Sequence, residues 1–133
     1  MKAYTDLEQS KKLAEILPIE SADMCYIQDL LAGCKYGEYR PYIGNIIPAY
    51  GQDKIKCWSL AALLDILPKD ESIDCAITFG YYNGKGEYIE KWLCVFEKEG
   101  ETTDDFIIET IDGSNPVDAC YEMVLKLNEL NLL

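Results

Sequence analysis

The chain has 133 residues, and 49% of them are hydrophobic, which is enough for a folded domain and excludes an intrinsically disordered chain. Its formal net charge of −12 repels nucleic acid and anionic membranes, so neither is expected as a direct partner. The chain contains no histidine, which excludes histidine-based triads, histidine general bases and the usual catalytic zinc sites.

No targeting or membrane segment is visible in the sequence. Residues 1–15 carry charges throughout, and no run approaches the ~18 apolar residues that a membrane helix needs. The six cysteines are irregularly spaced without a Cys-x-x-Cys motif, and most of them have apolar neighbours. We therefore expect a cytoplasmic protein with a single domain over residues 1–133 and with reduced cysteines in its core.

Two signals mark the first helix. Thr5-Asp6-Leu7-Glu8 has the capping-box pattern of a helix N-terminus, and Pro18 ends the helix at Leu17. The apolar residues within 21–32 fit either a second helix or a short strand around residues 23–27. Short apolar runs suit both states, so the pattern leaves the two alternatives open.

The segment from Gly33 to Ile55 is long and rich in glycine, proline and tyrosine. A loop of this length is uncommon in a compact domain unless it has a function, and residues 42–47 fit a short edge strand. Tyrosine and arginine often supply much of the binding energy at protein interfaces. The alternative is that these rings pack over the core as ordinary structural residues. The candidate binding residues are Tyr36, Tyr39, Arg40, Tyr42 and Tyr50.

The rest of the chain has the pattern of a helix, a three-stranded meander and a final helix. The central helix is predicted from about Trp58 to Leu67, and the last helix begins near Asn115, a good N-cap, with Pro116 at its first position. Together the elements predict an α+β fold, with about three helices on one face of a three- to four-stranded, mainly antiparallel sheet. The predicted strands cover 75–82, 88–96 and 106–111.

The negative charge is concentrated in the second half of the chain. Residues 1–69 hold 9 acids and 8 bases, whereas residues 70–133 hold 15 acids and 4 bases. The acidic loop after the second meander strand matches no EF-hand spacing and is typical of a solvated hairpin tip. An acidic surface of this kind suits a basic protein partner or serves solubility. Its candidate residues are Glu97, Glu99, Glu101, Asp104 and Asp105.

Three stretches carry a resemblance to other proteins: Glu20-Ser21-Ala22-Asp23-Met24, Cys57 to Leu64 (CWSLAALL), and Asn115 to Cys120 (NPVDAC). Together they resemble short proteins of gut anaerobic bacteria and of their phages or mobile elements, a group without an assigned activity. The resemblance covers the chain at intervals from the first helix to the last. It implies a mobile-element context, and it favours a strand over residues 23–26.

No catalytic constellation stands out in the sequence, and no cofactor or metal is predicted. The leading hypothesis is a non-enzymatic protein-interaction module, an accessory factor of a phage or mobile element, with a protein partner that the sequence does not identify. One alternative is an acidic mimic of nucleic acid that inhibits a basic protein. Another is a small enzyme that uses carboxylate or cysteine chemistry.

Overall fold

The protein is described by a computed structural model that covers residues 2–28, 33–44, 54–100, 106–112 and 114–133. The predicted α+β class is confirmed. None of the helices in these ranges is long and apolar enough to cross a membrane. The elements are, in chain order, α1 (Leu7–Ile16), a 3₁₀ turn (Ile19–Ser21), β1 (Met24–Ile27), β2 (Arg40–Ile43), β3 (Lys54–Cys57), α2 (Leu60–Ile66), β4 (Ile73–Tyr82), β5 (Tyr88–Lys98), β6 (Phe106–Asp112) and α3 (Pro116–Glu129).

The strands divide between two three-stranded antiparallel sheets, where the sequence predicted one sheet. The first sheet has the order β2-β1-β3, and the second has the order β4-β5-β6. The chain also divides into two compact units, each of which holds one of the sheets. One unit is Tyr4–Ala62, and the other is Leu63–Leu133 with the residues before Tyr4. The prediction of one domain over residues 1–133 stays a prediction.

In the Tyr4–Ala62 unit, β1 is the central strand. It pairs antiparallel with β2 on one side and with β3 on the other, and α1 packs against β3. The alternatives for residues 21–32 are therefore resolved as a strand over Met24–Ile27, while residues 29–32 lie outside the described ranges.

The predicted edge strand over residues 42–47 is found as β2, but it begins earlier, at Arg40, and its described part ends at Ile43. Pro41 fits this place because an edge strand leaves alternate N–H groups without a ladder partner. Residues 45–47 of the predicted strand lie outside the described ranges.

The N-cap of α1 is Asp6, one residue later than the capping-box pattern predicted. Asp6 Oδ1 accepts a hydrogen bond from the Gln9 N–H at 2.8 Å, and Gln9 Oε1 accepts one from the Asp6 N–H at 3.1 Å. Thr5 is unavailable as a cap because it is fully buried and its hydroxyl lies 2.8 Å from Ser10 Oγ. The predicted N-terminus was therefore wrong by one residue, whereas the predicted end at Leu17 is confirmed.

The predicted central helix is present as α2, but it is shorter than predicted. Trp58 and Ser59 precede it, and Ser59 Oγ accepts a hydrogen bond from the Ala62 N–H at 3.1 Å, as an N-cap does. Trp58 is fully buried, and its indole N–H donates to Ser21 Oγ at 2.9 Å. Trp58 is therefore a core residue that precedes the helix.

The Leu63–Leu133 unit is built on the predicted β-meander. Its three strands pair in chain order, so that Ile77, Cys94 and Thr110 form one row across the sheet. Residues of one row point to the same face. The Thr110 hydroxyl donates to the Ala119 carbonyl at 2.6 Å, which places α3 on this face. Further buried residues on the same face are Cys75 and Phe96.

The last helix begins as predicted, with Asn115 at the N-cap and Pro116 at the first helical position. Asn115 Oδ1 accepts a hydrogen bond from the Asp118 N–H at 2.8 Å, and its amide group donates to Asp118 Oδ2 at 2.7 Å. Ala119 and Met123 are fully buried. The buried residues of α3 are Pro116, Val117, Ala119, Cys120, Met123, Val124 and Leu127.

Candidate interaction surface

The tyrosine-rich segment contains the most exposed large hydrophobic side chains among the described residues. Tyr36 is 92% exposed, and Ile43, at the end of β2, is 85% exposed. Tyr39 and Tyr42 are half-buried, and Arg40 is exposed. The structure thus separates the candidate residues: Tyr36 stands in solvent, whereas Tyr39 and Tyr42 are partly packed. Tyr50 lies outside the described residues.

Hydrogen bonds at both ends hold this segment beside β1. The Gly37 N–H donates to Oε1 of the buried Gln28 at 2.7 Å, and the Gly44 N–H donates to the Asp23 carbonyl at 2.7 Å. Both glycines have φ near +85°, at 84° and 86°, a conformation that disfavours side chains with a Cβ. We name residues 36–43 the β2 surface, in which Tyr36 directly precedes Gly37 and Ile43 directly precedes Gly44.

Sequence reasoning did not identify Ile43 as part of this surface. A lone isoleucine next to a tyrosine in an apolar run gives no signal of exposure, because the run also fits a strand with a buried face. Ile43 is 85% exposed at the described end of β2, which pairs with β1. The residue that the sequence missed is therefore among the most exposed apolar residues of the described chain.

A buried polar cluster around Thr5 supports the same unit. The Thr5 hydroxyl accepts a hydrogen bond from the Trp58 N–H at 3.1 Å, and the Tyr26 hydroxyl donates to the Thr5 carbonyl at 2.8 Å. Burial raises the pKa of Tyr26, and it also raises the pKa of the Cys57 thiol, which contacts Thr5. The Tyr26 hydroxyl and the Cys57 thiol both donate hydrogen bonds to the Thr5 carbonyl, so the cluster acts as a structural hub.

The two described residues of the predicted acidic surface lie at one end of the second sheet. Glu97 and Glu99 line a hollow of about 390 Å³ together with Asp70, Glu71 and Asp74. Asp74 lies directly opposite Glu97 on the neighbouring strand, a pairing of like charges that destabilises a sheet. Glu101, Asp104 and Asp105 of the predicted acidic surface lie outside the described residues.

Internal hydrogen bonds already engage one carboxylate of this hollow. The Ser72 N–H and hydroxyl both donate to Asp70 Oδ1, at 2.7 and 2.9 Å, and they hold the pKa of Asp70 below its usual range. Over the described ranges, no three acidic or cysteine side chains are arranged to bind a metal ion. The hollow is therefore a concentration of negative charge, built from residues 70–74 and from the end of β5.

All six cysteines are buried and unpaired, which confirms the interpretation of them as reduced core residues. Three of them interact through their thiol groups, with Cys94 between the other two. The Cys94 thiol interacts with the thiols of Cys120 and Cys75, and its hydrogen bond with Cys120 and its burial raise its pKa to about 12. The hydrogen bond with Cys94 and burial raise the pKa of Cys75 as well. Burial and raised pKa values disfavour the thiolate, which makes Cys75 and Cys94 poor nucleophiles.

Comparisons with known proteins add no functional residue to this picture. No protein-family model, no curated protein and no solved structure matches the chain. Among the described residues, the β2 surface carries the two most exposed large apolar side chains, Tyr36 and Ile43.

Proposed function

We propose that the protein is a non-enzymatic interaction module that binds a protein partner through the β2 surface, and that it serves a phage or mobile element as an accessory factor. The exposure of Tyr36 and Ile43 carries this proposal. An aromatic and a branched apolar side chain held 92% and 85% in solvent supply apolar area that a partner would bury. The mobile-element context comes from the sequence resemblance.

The fixed ends of the segment also support the proposal. A binding loop that is already held in place loses less conformational entropy when it binds than a loose loop does. Hydrogen bonds from Gly37 to Gln28 and from Gly44 to Asp23 hold this segment at both ends. The neighbouring residues Arg40 and Tyr42 would then add polar contacts at the rim of the interface.

The test compares two variants of the full chain that remove the same residue types. The first is Tyr36→Ala with Ile43→Ala, and the second is Tyr82→Ala with Ile19→Ala, whose side chains are 75% and 56% exposed. Tagged proteins are used to capture partners from lysate of a gut anaerobic bacterium, and stoichiometry is read by quantitative mass spectrometry. We expect the first pair to lose a stoichiometric partner that the second retains. Equal capture by both variants would contradict the proposal.

A second candidate function is inhibition of a basic protein by charge mimicry. The five carboxylates of the hollow at the start of β4 and the end of β5 favour it, because they place negative charge at one site. A complex of this kind weakens steeply as salt rises. Reversal of Glu71 and Glu99 to lysine should then abolish capture, whereas reversal of Glu8 and Glu15 on α1 should not. A complex that is insensitive to salt would exclude this function.

A further inference from the structure

The second sheet has two faces, and α3 lies on one of them. Residues directly opposite one another in neighbouring strands point to the same face. The row of Ile77, Cys94 and Thr110 faces α3, because the Thr110 hydroxyl donates to the Ala119 carbonyl. Side chains alternate along a strand, so alternate rows belong to the other face, which we name the outer face. Its rows are Asp74, Glu97 and Ile107, then Ala76, Val95 and Glu109, then Thr78, Leu93 and Ile111.

The outer face is open to solvent and partly apolar. On β6, Ile107 and Ile111 are 52% and 48% exposed, and on β4 the side chain of Ala76 is exposed. On β5, which lies between these two strands, Val95 is half-buried and Leu93 is buried. A solvated sheet face usually carries polar residues. The apolar side chains of the outer face therefore offer area that a partner would bury.

Charged and apolar residues occupy separate parts of the outer face. A line from Ala76 on β4 to Ile111 on β6 crosses the sheet diagonally and passes between two apolar residues of β5, Val95 and Leu93. The carboxylates all lie on one side of this line, with Ile107 beside them, and they are those of Asp74, Glu97 and Glu109. None of the nine positions holds a base. Of the lysines on β5, Lys98 belongs to the α3 face, and Lys91 lies beyond Leu93 on the other side of the line.

The carboxylates of the outer face repel one another. Asp74 lies directly opposite Glu97, a pairing of like charges that destabilises a sheet, and the exposed Glu109 adds a third negative charge. Basic side chains of a partner would offset this repulsion. A second copy of the chain would instead bring the same three carboxylates and a net charge of −12, which disfavours its association with this face.

The width of the sheet and the separation of charge fit a helix better than a strand. An amphipathic helix presents an apolar stripe with a charged flank beside it. A strand alternates its side chains between two faces, so it would present only a single row to the outer face. The outer strands of the sheet lie about 10 Å apart, which matches the ~10–12 Å diameter of a helix. On the other face, α3 packs on β5 and β6 in this manner.

We propose that the outer face binds an amphipathic helix of a partner protein, with an apolar stripe that is bordered on one side by lysine or arginine. The stripe covers Ala76, Val95 and Ile111, and the basic flank faces the three carboxylates. The sheet then lies between two helices, one on each face. The outer face has no residue in common with the β2 surface, and the proposal does not depend on the function proposed for that surface.

The probe is a fluorescein-labelled helical peptide of leucine, alanine and lysine, about 14 residues long, with leucine on one face and lysine along one flank. It is titrated against the full chain and followed by fluorescence anisotropy. One control peptide has the same composition in scrambled order, which keeps the charge but removes the stripe, and a second has glutamate in place of lysine. We expect both controls to bind at least about tenfold more weakly, which corresponds to ~1.4 kcal/mol. A probe that binds no better than the scrambled peptide would overturn the proposal.

One pair of variants tests the apolar part of the outer face. Ile111→Ala removes an isoleucine that the stripe covers, and Ile19→Ala removes one that is 56% exposed outside this face. We expect Ile111→Ala to weaken binding of the probe by about fivefold or more, and Ile19→Ala to change it by less than about twofold.

A second pair of variants separates local from overall charge. The first variant neutralises the carboxylates of the outer face by Asp74→Asn, Glu97→Gln and Glu109→Gln. The second neutralises three exposed acids outside this face by Glu8→Gln, Glu15→Gln and Glu20→Gln, so it changes the net charge by the same amount. The first variant should weaken binding of the probe by about tenfold or more, and the second by less than about threefold. Circular dichroism checks that both variants are folded.

Methyl NMR locates the bound peptide. The methyl resonances of Val95 and Ile111 should shift as the peptide is added, whereas those of Ile77, on the α3 face, should stay in place. Equal shifts on the two faces, or equal weakening by the two triple variants, would overturn the proposal. Shifts of Val95 and Ile111 that grow with protein concentration in the absence of peptide would also overturn it, because a second copy of the chain would then occupy the outer face.

Discussion

Gly80 stands where the pairing of β4 with β5 shifts register, between Phe79 and Tyr81. Its φ is +84°, and a Cβ placed on it would overlap the phenol oxygen of Tyr88. Tyr88 in turn packs on Tyr82, with ring centroids 5.3 Å apart. A glycine therefore serves two purposes here, because it adopts the left-handed backbone and leaves room for the ring.

We expect Gly80→Ala to lower the free energy of unfolding by about 2 kcal/mol, since positive φ alone costs about 1 kcal/mol and the overlap adds to it. Tyr88 is half-exposed, so its ring can move away from a new side chain. The double variant Gly80→Ala with Tyr88→Ala should regain only the part of the lost unfolding free energy that comes from the overlap. Gly84→Ala is the control, because nothing lies within 4 Å of a Cβ there. Urea unfolding measures the free energy of unfolding of all these variants. A Gly80→Ala protein with the same free energy of unfolding as the original protein would contradict the expectation.

The buried thiols predict how stability depends on pH. An unfolded cysteine loses its proton at about pH 8.5, whereas the folded pKa of Cys94 is raised to about 12 and that of Cys75 is also raised. The folded state therefore holds these protons more tightly. Stability is full below the unfolded pKa and is lost as the pH rises toward the folded pKa.

Each such thiol should lower the free energy of unfolding by about 2 kcal/mol between pH 8 and pH 10. Urea unfolding in the presence of a reducing agent measures this loss. Cys94→Ala will be less stable at both pH values because it leaves a cavity, so the informative quantity is the difference between them. That difference should shrink in the variant, and a difference equal to that of the unchanged protein would show that Cys94 does not contribute.

At the scale of elements, the start of α1 combines a surface cap with a buried hub one residue earlier. Asp6 closes the capping box in solvent, whereas Thr5 satisfies the Trp58 N–H and contacts Ser10 inside the unit. A missing cap exposes an N–H to water, but a missing buried partner leaves a polar group without a hydrogen bond. The two neighbouring residues should therefore differ in their effect on stability.

We expect Asp6→Ala to cost about 1 kcal/mol of unfolding free energy, and Thr5→Val to cost more, about 2–3 kcal/mol, although valine keeps the shape of threonine. Thermal and urea unfolding of the two variants give the comparison. Ser21→Ala, which removes a partly exposed acceptor of the Trp58 indole, serves as an intermediate control. A larger loss for Asp6→Ala than for Thr5→Val would contradict the assignment of the hub.

The sequence predicts the elements whose signals are local. The meander follows from alternation and from an Asn-Gly turn, and α3 follows from Asn115 and Pro116. β3 was not predicted, because four residues with lysine at 54 and 56 show too little pattern. Its pairing with β1 joins residues about 30 positions apart. The burial of Thr5 was not predicted for the same reason, because its hydrogen-bond partner Trp58 is 53 residues away in the sequence.

The candidate site was predictable to a similar degree. Tyrosine and arginine composition pointed to the segment that forms the β2 surface, but it did not distinguish exposed Tyr36 from half-buried Tyr42. That difference is set by where β2 pairs with β1, which no local pattern specifies.

At the scale of the whole molecule, the uneven charge should make stability depend on salt. Residues 70–133 carry 15 of the 24 acids and only 4 of the 12 bases, so the folded chain repels itself in that half. Dissolved salt screens this repulsion. The free energy of unfolding should rise by about 1 kcal/mol between 0.02 and 0.5 M NaCl.

The matched variant reverses Glu71, Glu99 and Glu122 to lysine, which halves the net charge of −12. The rise with salt should then be clearly smaller, as measured by urea unfolding at each salt concentration. A rise of equal size in both proteins would point to a general salt effect on apolar burial instead.

The ion pair between Lys2 and Asp118 has a consequence for the order of folding. Its atoms lie 2.7 Å apart, although the residues are separated by 116 positions in the chain. During synthesis, the residues of the Tyr4–Ala62 unit are made before the rest of the chain, whereas the unit that contains Lys2 must wait for α3. Until α3 is made, Lys2 cannot form its ion pair with Asp118. The apolar face of the second sheet is not yet covered by this helix. This late step is the stage of synthesis at which the nascent chain is most exposed to aggregation.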